Sequence, residues 1–264
     1  MKKNNYGARQ WAPNYANCCT GCSHNCIYCY AKAREVYRFK RLTEADWPLE
    51  QVRMHDVEKK RKKLSGRIMF PTTHDITPNN LDACMVVLGK LLEAGNEVLV
   101  VSKPHFDCVK RICDDFERYR DLYEIDVDVN RQYRIIFRFT IGACDDQILS
   151  FWEPGAPSYS ERKASLKHVY QRGFQTSVSA EPMLDTANID ALISDLSPFV
   201  TDKIWLGKLN HLGPLKKGAD PYLMQEIRRI ERGQTDASIK AIYRRYSDNP
   251  IVEWKDSIQR VVGI

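Results

Sequence analysis

The sequence predicts an α/β fold, an open partial barrel of six strand–helix units, and three observations predict it. Short apolar runs rich in β-branched residues alternate with segments of helical period along most of the chain. The apolar runs are apolar on both faces, as strands buried in a parallel sheet are. Connections are short, with no Gly/Ser/Pro linker and no repeat of fixed period, so the units wind right-handed into one sheet. The 264 residues, 43% hydrophobic, suffice for one large domain or a domain with an appendage.

The elements follow in order. A first strand, weakly signalled, is expected near Tyr6 to Ala12, and Tyr30 to Lys40 reads as a helix. The charged stretch that follows ends in Lys59-Lys60-Arg61-Lys62-Lys63, read as a solvated helix face rather than a binding patch. Arg67-Ile68-Met69-Phe70 is a short strand, and Asn80 to Glu93 has helical spacing with Gly95 as its stop. Glu97 to Val101 is a continuous strand run, and Phe106 to Tyr119 a helix. Tyr133 to Ile141 makes the next strand, followed by helices from Asp146 to Trp152 and Ser160 to Arg172. Phe174 to Ala180 and Lys203 to Leu206 complete the strands, separated by the helix Ile189 to Leu196. Residues 1–211 are thus expected to form the barrel and 212–264 a basic, mainly helical extension.

In barrels of parallel strands the active site is built at the carboxyl ends of the strands. The candidates there are Thr72, Thr73, His74 and Asp75 after the second strand, Ser102 and Lys103 after the third, and Cys144 after the fourth. Glu181 follows the fifth, and Lys208, Asn210 and His211 the sixth. Lys103 offers a point charge for a carboxylate, while Ser102 and Thr73 can donate hydrogen bonds to cofactor oxygens. Asp75 and Asp145 serve equally well as helix caps. Arg138, in mid-strand, needs a carboxylate such as Glu181 or a ligand if it points inward.

Cys22, Cys26 and Cys29 are spaced C-x3-C-x2-C, with Tyr28 just before the last. That spacing suits one iron–sulfur cluster held by three thiolates, with a fourth iron open to a small molecule. Zinc, with Cys18 or Cys19 as fourth ligand, is the alternative, although no second C-x2-C pair accompanies Cys26 and Cys29. Met1-Lys2-Lys3-Asn4-Asn5 leads into no apolar leader and no run approaches membrane-spanning length. The expectation is therefore reduced thiols, a cytoplasmic location and no membrane. Cys84, Cys108 and Cys113 lie in apolar helical stretches and read as buried small hydrophobes.

At the cysteine motif the chain resembles the radical S-adenosylmethionine superfamily. The resemblance implies a partial TIM-type barrel, a 4Fe-4S cluster and S-adenosylmethionine as cofactors, and a one-electron reductant such as flavodoxin or ferredoxin as partner. The amino and carboxylate groups of S-adenosylmethionine would chelate the open iron, and its reductive cleavage would release a 5′-deoxyadenosyl radical that abstracts hydrogen from a substrate. The bound cofactor carries the chemistry, and the protein positions and shields it. Tyr28, Thr73, Ser102, Lys103, Arg138 and Glu181 are the expected cofactor-binding residues. Asp145 to Leu149, then Glu153-Pro154-Gly155-Ala156-Pro157, Arg162, Leu166 and Gly173-Phe174 look like the spore photoproduct lyase-like branch, over about residues 15–211. In that branch tyrosines on both sides of the last cluster cysteine relay hydrogen, which assigns Tyr28 and Tyr30 a catalytic part. The lyase's donor cysteine at the end of the second strand corresponds here to Thr72, whose O–H bond is much stronger than S–H, so photoproduct repair by that route is not expected. Cys144 is the other thiol at a strand end, either a hydrogen donor or a half-buried structural residue.

The substrate stays open between a nucleic acid or nucleotide and a peptide or small metabolite; a non-catalytic metal-binding module is the third possibility. The formal charge of +6 favours polyanion contact. In the C-terminal segment, Arg228, Arg229, Arg232, Lys240, Arg244 and Arg245 interleave with Tyr222, Tyr243, Tyr246 and Trp254, a pattern that suits either a nucleic-acid strand or ordinary helix packing.

Overall fold

The structure, a computed structural model, describes residues 7–121, 135–210 and 212–264. Seven strands form one parallel sheet in chain order: β1 (Asn14–Tyr15), β2 (Ile68–Phe70), β3 (Val98–Ser102), β4 (Ile135–Thr140), β5 (Gln175–Ala180), β6 (Ile204–Leu206) and β7 (Val252–Trp254). Because the order never reverses, right-handed crossovers carry the helices to one face and leave the other concave. β1 and β7 are the two edges. Between them the turn Gly7–Gln10 meets the helix Asp256–Val262: Lys255 Nζ donates to the Gly7 carbonyl at 2.8 Å and Asp256 N–H to Gln10 Oε1 at 3.1 Å.

The alternation of strand faces explains the two cores. Val98, Val100, Phe137 and Phe139 point outward onto Leu88, Leu91 and Leu92 of the helix Leu81–Glu93 and Ile112 of the helix Phe106–Asp121. Leu99, Val101, Met69 and Ile136 point inward, with Ala12 and Trp11. All five residues of β3 are buried, which is why its sequence is apolar without alternation. The helix Leu81–Glu93 stops where Gly95 takes φ 83°, as its glycine predicts. No helix among the described residues is long and apolar enough to cross a membrane.

The structure departs from expectation at several points. The first strand is Asn14–Tyr15, a two-residue edge too short and polar to show a period, and Gly7–Gln10 is a 3-10 turn. Residues 30–38 begin as α-helix but continue as a π-helix over Ala33–Arg38, and Lys59 to Lys63 are irregular chain rather than a helix face. Within the segment read as a helical extension, Val252–Trp254 pairs with Ile204–Leu206 and adds a seventh strand. Three residues between two helices carry no strand signal of their own. Arg138 does point inward, but its carboxylate is Asp202, at 3.0 Å, with Ser177 Oγ accepting from Nε at 2.9 Å. Glu181 pairs instead with Lys255 at 3.2 Å. Tyr6, Tyr133 and His211 lie outside the described residues.

Arg138 is 2% exposed and stands between the rings of Trp11 and Trp205, 4.8 and 5.2 Å from their centroids. Arg138→Ala should therefore cost about 2–4 kcal/mol, from lost packing and a carboxylate left without its partner, visible as a lower thermal midpoint in circular dichroism.

Candidate active site

A cavity of about 540 Å3 opens at the carboxyl ends of the strands. Cys22, Cys26 and Cys29 line it together with Tyr28, Tyr30, Thr72, Thr73, His74, Asp75, Ser102, Lys103, Glu181, Lys208 and Asn210. The fold thus gathers most of the residues named from sequence around one space. Arg138 lies among Trp11, Trp205 and Asp202, and Cys144 packs against the outer core with Tyr159 as its hydrogen-bond partner; neither lines the cavity.

The cysteine loop is shaped by contacts a short motif does not reveal. Gly21 takes φ 84°, and a Cβ there would stand 2.6 Å from the Trp47 carbonyl oxygen, so the turn into Cys22 requires glycine. Cys22 N–H donates to that same carbonyl at 2.9 Å, and Ser23 N–H to Glu50 Oε1 at 2.8 Å. On the other side Ile27 N–H donates to the Trp152 carbonyl at 2.9 Å and Gly155 N–H to the His24 carbonyl at 3.1 Å. Any Cβ on Gly155 would collide with the Ser23 backbone, so the glycine of the Glu153–Pro157 segment is what lets that segment lie against the loop. Cys29 caps the next helix, its Sγ accepting from Lys32 N–H at 3.4 Å.

Asp75 joins the loop to two strand ends. Its Oδ2 is 3.0 Å from His24 Nδ1, while its Oδ1 accepts from the Ser102 hydroxyl and, at 3.0 Å, from Lys103 N–H. Lys103 Nζ lies 3.8 Å from Oδ2. Burial by itself would raise this carboxyl, but His24, Lys103 and Ser102 outweigh it and hold Asp75 well below the usual carboxylate range. Lys103 is in the mirror situation: burial would lower it, and Cys26, Glu153 and Asp75 hold it raised and charged. Behind His24, His105 follows at 2.9 Å between the two Nε2 atoms. Asp145, by contrast, is a helix cap, accepting from Gln147 N–H at 2.7 Å.

The tyrosines on either side of Cys29 face different partners. The Tyr28 hydroxyl donates to Glu153, which pairs with Arg162 at 2.5 Å; both partners of that ion pair are fully buried. The Tyr30 hydroxyl donates to the Thr72 carbonyl. Thr72 is held from its other side by Asn17, whose Oδ1 accepts from Thr72 and Thr73 N–H at 2.7 and 2.9 Å and whose Nδ2 donates to the Thr72 hydroxyl at 2.8 Å.

The donor set fits a cluster. Burial is the largest cause raising all three thiols, Cys26 to about 12, and each thiolate would further repel the others, so ionised sulfur here needs a strongly positive group against it. Among the described residues no three His, Cys, Asp or Glu side chains close on one point as ligands of a single ion would; the three thiols stand round one cavity wall. Cys18 faces elsewhere, its Sγ 3.7 Å from Cys84 Sγ; that contact and His74 lower its thiol against the opposing effect of burial. Cys84, Cys108 and Cys113 are buried.

Several residues escaped the sequence reading. Asn17, His24, Glu50, His105 and Lys255 act through partners far away in sequence, and single polar residues carry no period that would flag them. In the C-terminal segment Tyr243 packs on the buried Trp254, the Tyr246 hydroxyl donates to Asp190, and Tyr222 meets Phe151 edge-on but stays exposed. Arg229 and Arg245 are taken by Glu226 and Asp190.

No family model and no curated protein matches the chain. Among solved structures, a cysteine-to-alanine variant of spore photoproduct lyase with dinucleoside spore photoproduct superposes with a TM-score of 0.55 at 15% identity, over 91% of this chain and 75% of that one. A double variant of the lyase with bound AdoMet and dinucleoside spore photoproduct gives 0.51 at 14% identity, over 90% and 74%. Streptococcus suis SuiB bound to S-adenosylmethionine gives 0.44 at 9% identity over 71% of this chain, which spans only 38% of SuiB's length. The chain has the partial α/β-barrel fold of spore photoproduct lyase.

Arg162→Ala strands Glu153 as a buried carboxylate beside Tyr28 and should cost about 3–5 kcal/mol in urea denaturation of the iron-free protein, most of it recovered in the Glu153→Gln/Arg162→Met double variant.

Proposed function

We propose that this chain is a radical S-adenosylmethionine enzyme acting on a nucleic acid or nucleotide. The observation that carries the class is the meeting of Cys22, Cys26, Cys29 and the charged Lys103 on one cavity of about 540 Å3, a size within the range of small-molecule sites. The three thiolates would hold a 4Fe-4S cluster, which when bound supplies the electron that cleaves S-adenosylmethionine to methionine and a 5′-deoxyadenosyl radical. A reductant protein such as flavodoxin or ferredoxin would deliver that electron.

The chain's own residues bind, orient and shield. Lys103, positioned by Asp75, would offer its ammonium to the cofactor carboxylate, and Thr73, which lines the same cavity, would donate beside it, whereas the Ser102 hydroxyl is committed to Asp75 and supports the site through that carboxylate. The Lys103 ammonium lies over the Tyr28 ring, 5.9 Å from its centroid, and the Tyr28 hydroxyl is fixed by Glu153. Glu181, which lines the cavity and is steadied by Lys255, would accept from a ribose hydroxyl. Thr72 and Tyr30, which also line the cavity, would face the substrate. A nucleic-acid substrate is supported by the basic balance of the chain and by its likeness in motif and fold to a lyase whose structure holds a dinucleoside spore photoproduct. With Thr72 in place of a donor thiol, hydrogen return from that position is not part of the reading.

Anaerobically reconstituted protein should carry about four iron and four sulfide and, reduced with dithionite, release 5′-deoxyadenosine. Cys22→Ala, Cys26→Ala and Cys29→Ala should each abolish both, and Lys103→Met should weaken S-adenosylmethionine binding about 10–100-fold. Absence of 5′-deoxyadenosine from the loaded wild-type protein would sink the class. Deuterium appearing in 5′-deoxyadenosine from a labelled peptide or metabolite, and from no labelled oligonucleotide, would redirect the substrate.

A further inference from the structure

The helix that leaves the cysteine loop abandons the α-helical path and ends on an exposed aromatic ring. Ala33–Arg38 winds as a π-helix, and Phe39 N–H donates to the Arg34 carbonyl five residues back at 2.9 Å. Such turns are rare and gather at functional positions. Lys40 follows at φ 52°, a left-handed conformation that strains any residue with a Cβ. The result is Phe39, 45% exposed, with the guanidinium carbons of Arg38 and Arg41 at 5.3 and 4.7 Å from its ring centroid.

The same segment runs back to the cavity. Tyr37 is 54% exposed, and Tyr30, 56% exposed, lines the cavity and bonds to Thr72 at its rim. From Tyr30 to Phe39 would be about 13 Å at α-helical rise and is less where the chain winds as a π-helix, a length that a few nucleotides cover at about 3.4 Å each. Basic charge is in excess on this segment, although the Tyr37 hydroxyl donates to Glu44 from the chain that follows. Lys32, Arg34, Arg38, Lys40 and Arg41 face a single acid within the segment, Glu35, which is buried and taken by Arg34 and Arg41 at 2.9 and 3.4 Å. Arg38 and Lys40 have no acidic partner among the described residues.

We propose that the exposed face of residues 30–41 carries a single-stranded nucleic acid into the cavity, with Phe39 stacking a base and Arg38 and Lys40 taking phosphates. The proposal rests on the reading of the substrate as a nucleic acid. Basic charge alone would also suit an acidic protein. The ring faces decide between them: bases stack on aromatic rings beside guanidinium groups, whereas a protein interface wants an apolar core, and Val36, the one aliphatic side chain here larger than alanine, is buried.

The test is fluorescence anisotropy of labelled oligothymidylate and oligouridylate with the cluster-loaded full chain, between about 50 and 200 mM salt. Wild-type protein should bind at least one of them with affinity that falls as salt rises. Phe39→Ala should lose about tenfold while Phe39→Trp keeps binding, and Arg38→Gln and Lys40→Gln should each lower the slope of log K against log salt by about 0.7. Failure of wild-type protein to bind either oligomer at low salt overturns the proposal. So does Phe39→Ala binding as wild type does, or an acidic flavodoxin whose binding these substitutions weaken while oligomer binding is untouched. The radical reading fails separately: strand binding that depends on Phe39 without any 5′-deoxyadenosine upholds this surface and sinks that chemistry.

Discussion

A single buried carboxylate, Asp75, ties the site together. It is 6% exposed and receives His24 from the cysteine loop, the Ser102 hydroxyl and Lys103 N–H from the end of β3, and the Lys103 ammonium at longer range. A carboxylate at that depth is tolerable only because every oxygen is matched by donors and a cation. In return, the loop that carries the three cysteines cannot shift without breaking a charge-assisted contact to the strand ends that would hold the cofactor. The hub therefore joins three segments, around His24, Asp75 and Ser102–Lys103, into one wall.

A second support stands on the opposite side. Glu153 binds both the Tyr28 hydroxyl and Arg162, and Gly155 two residues later lets the chain lie against Ser23 and His24. The cysteine loop is thus gripped between the Asp75 hub and the Glu153–Gly155 turn. Lys103 is near enough to respond to the charges of both. That placement makes it a counter-charge for whatever anions occupy the cavity, thiolate or carboxylate, and explains why a lysine is sustained there in its ionised form.

Much of this was legible in the sequence, and the reasons are specific. β3 reads as Val-Leu-Val-Val because both faces of a central parallel strand are buried, and Gly95 marks a helix end because only glycine relaxes at its φ. The cysteine spacing named its chemistry because three soft ligands within eight residues have few other uses. The edge strands failed for a related reason: Asn14–Tyr15 and Val252–Trp254 are too short for a period to emerge. Arg138 was recognised as an inward cation needing a partner, yet its carboxylate was Asp202 rather than Glu181, a choice made by the register of neighbouring strands.

Local chemistry and period thus determined the cysteine motif, the alternation of strands and helices, and which loops would sit at the carboxyl ends of the strands, since each is written in a run of adjacent residues. Only the tertiary structure decided that Asp75 would serve His24, Ser102 and Lys103 rather than cap a helix, that Cys144 and Arg138 would lie away from the cavity, and that Lys255 would reach Glu181. Those outcomes depend on distances between residues far apart in the chain, and a linear sequence fixes such distances only when the whole sheet has closed around them.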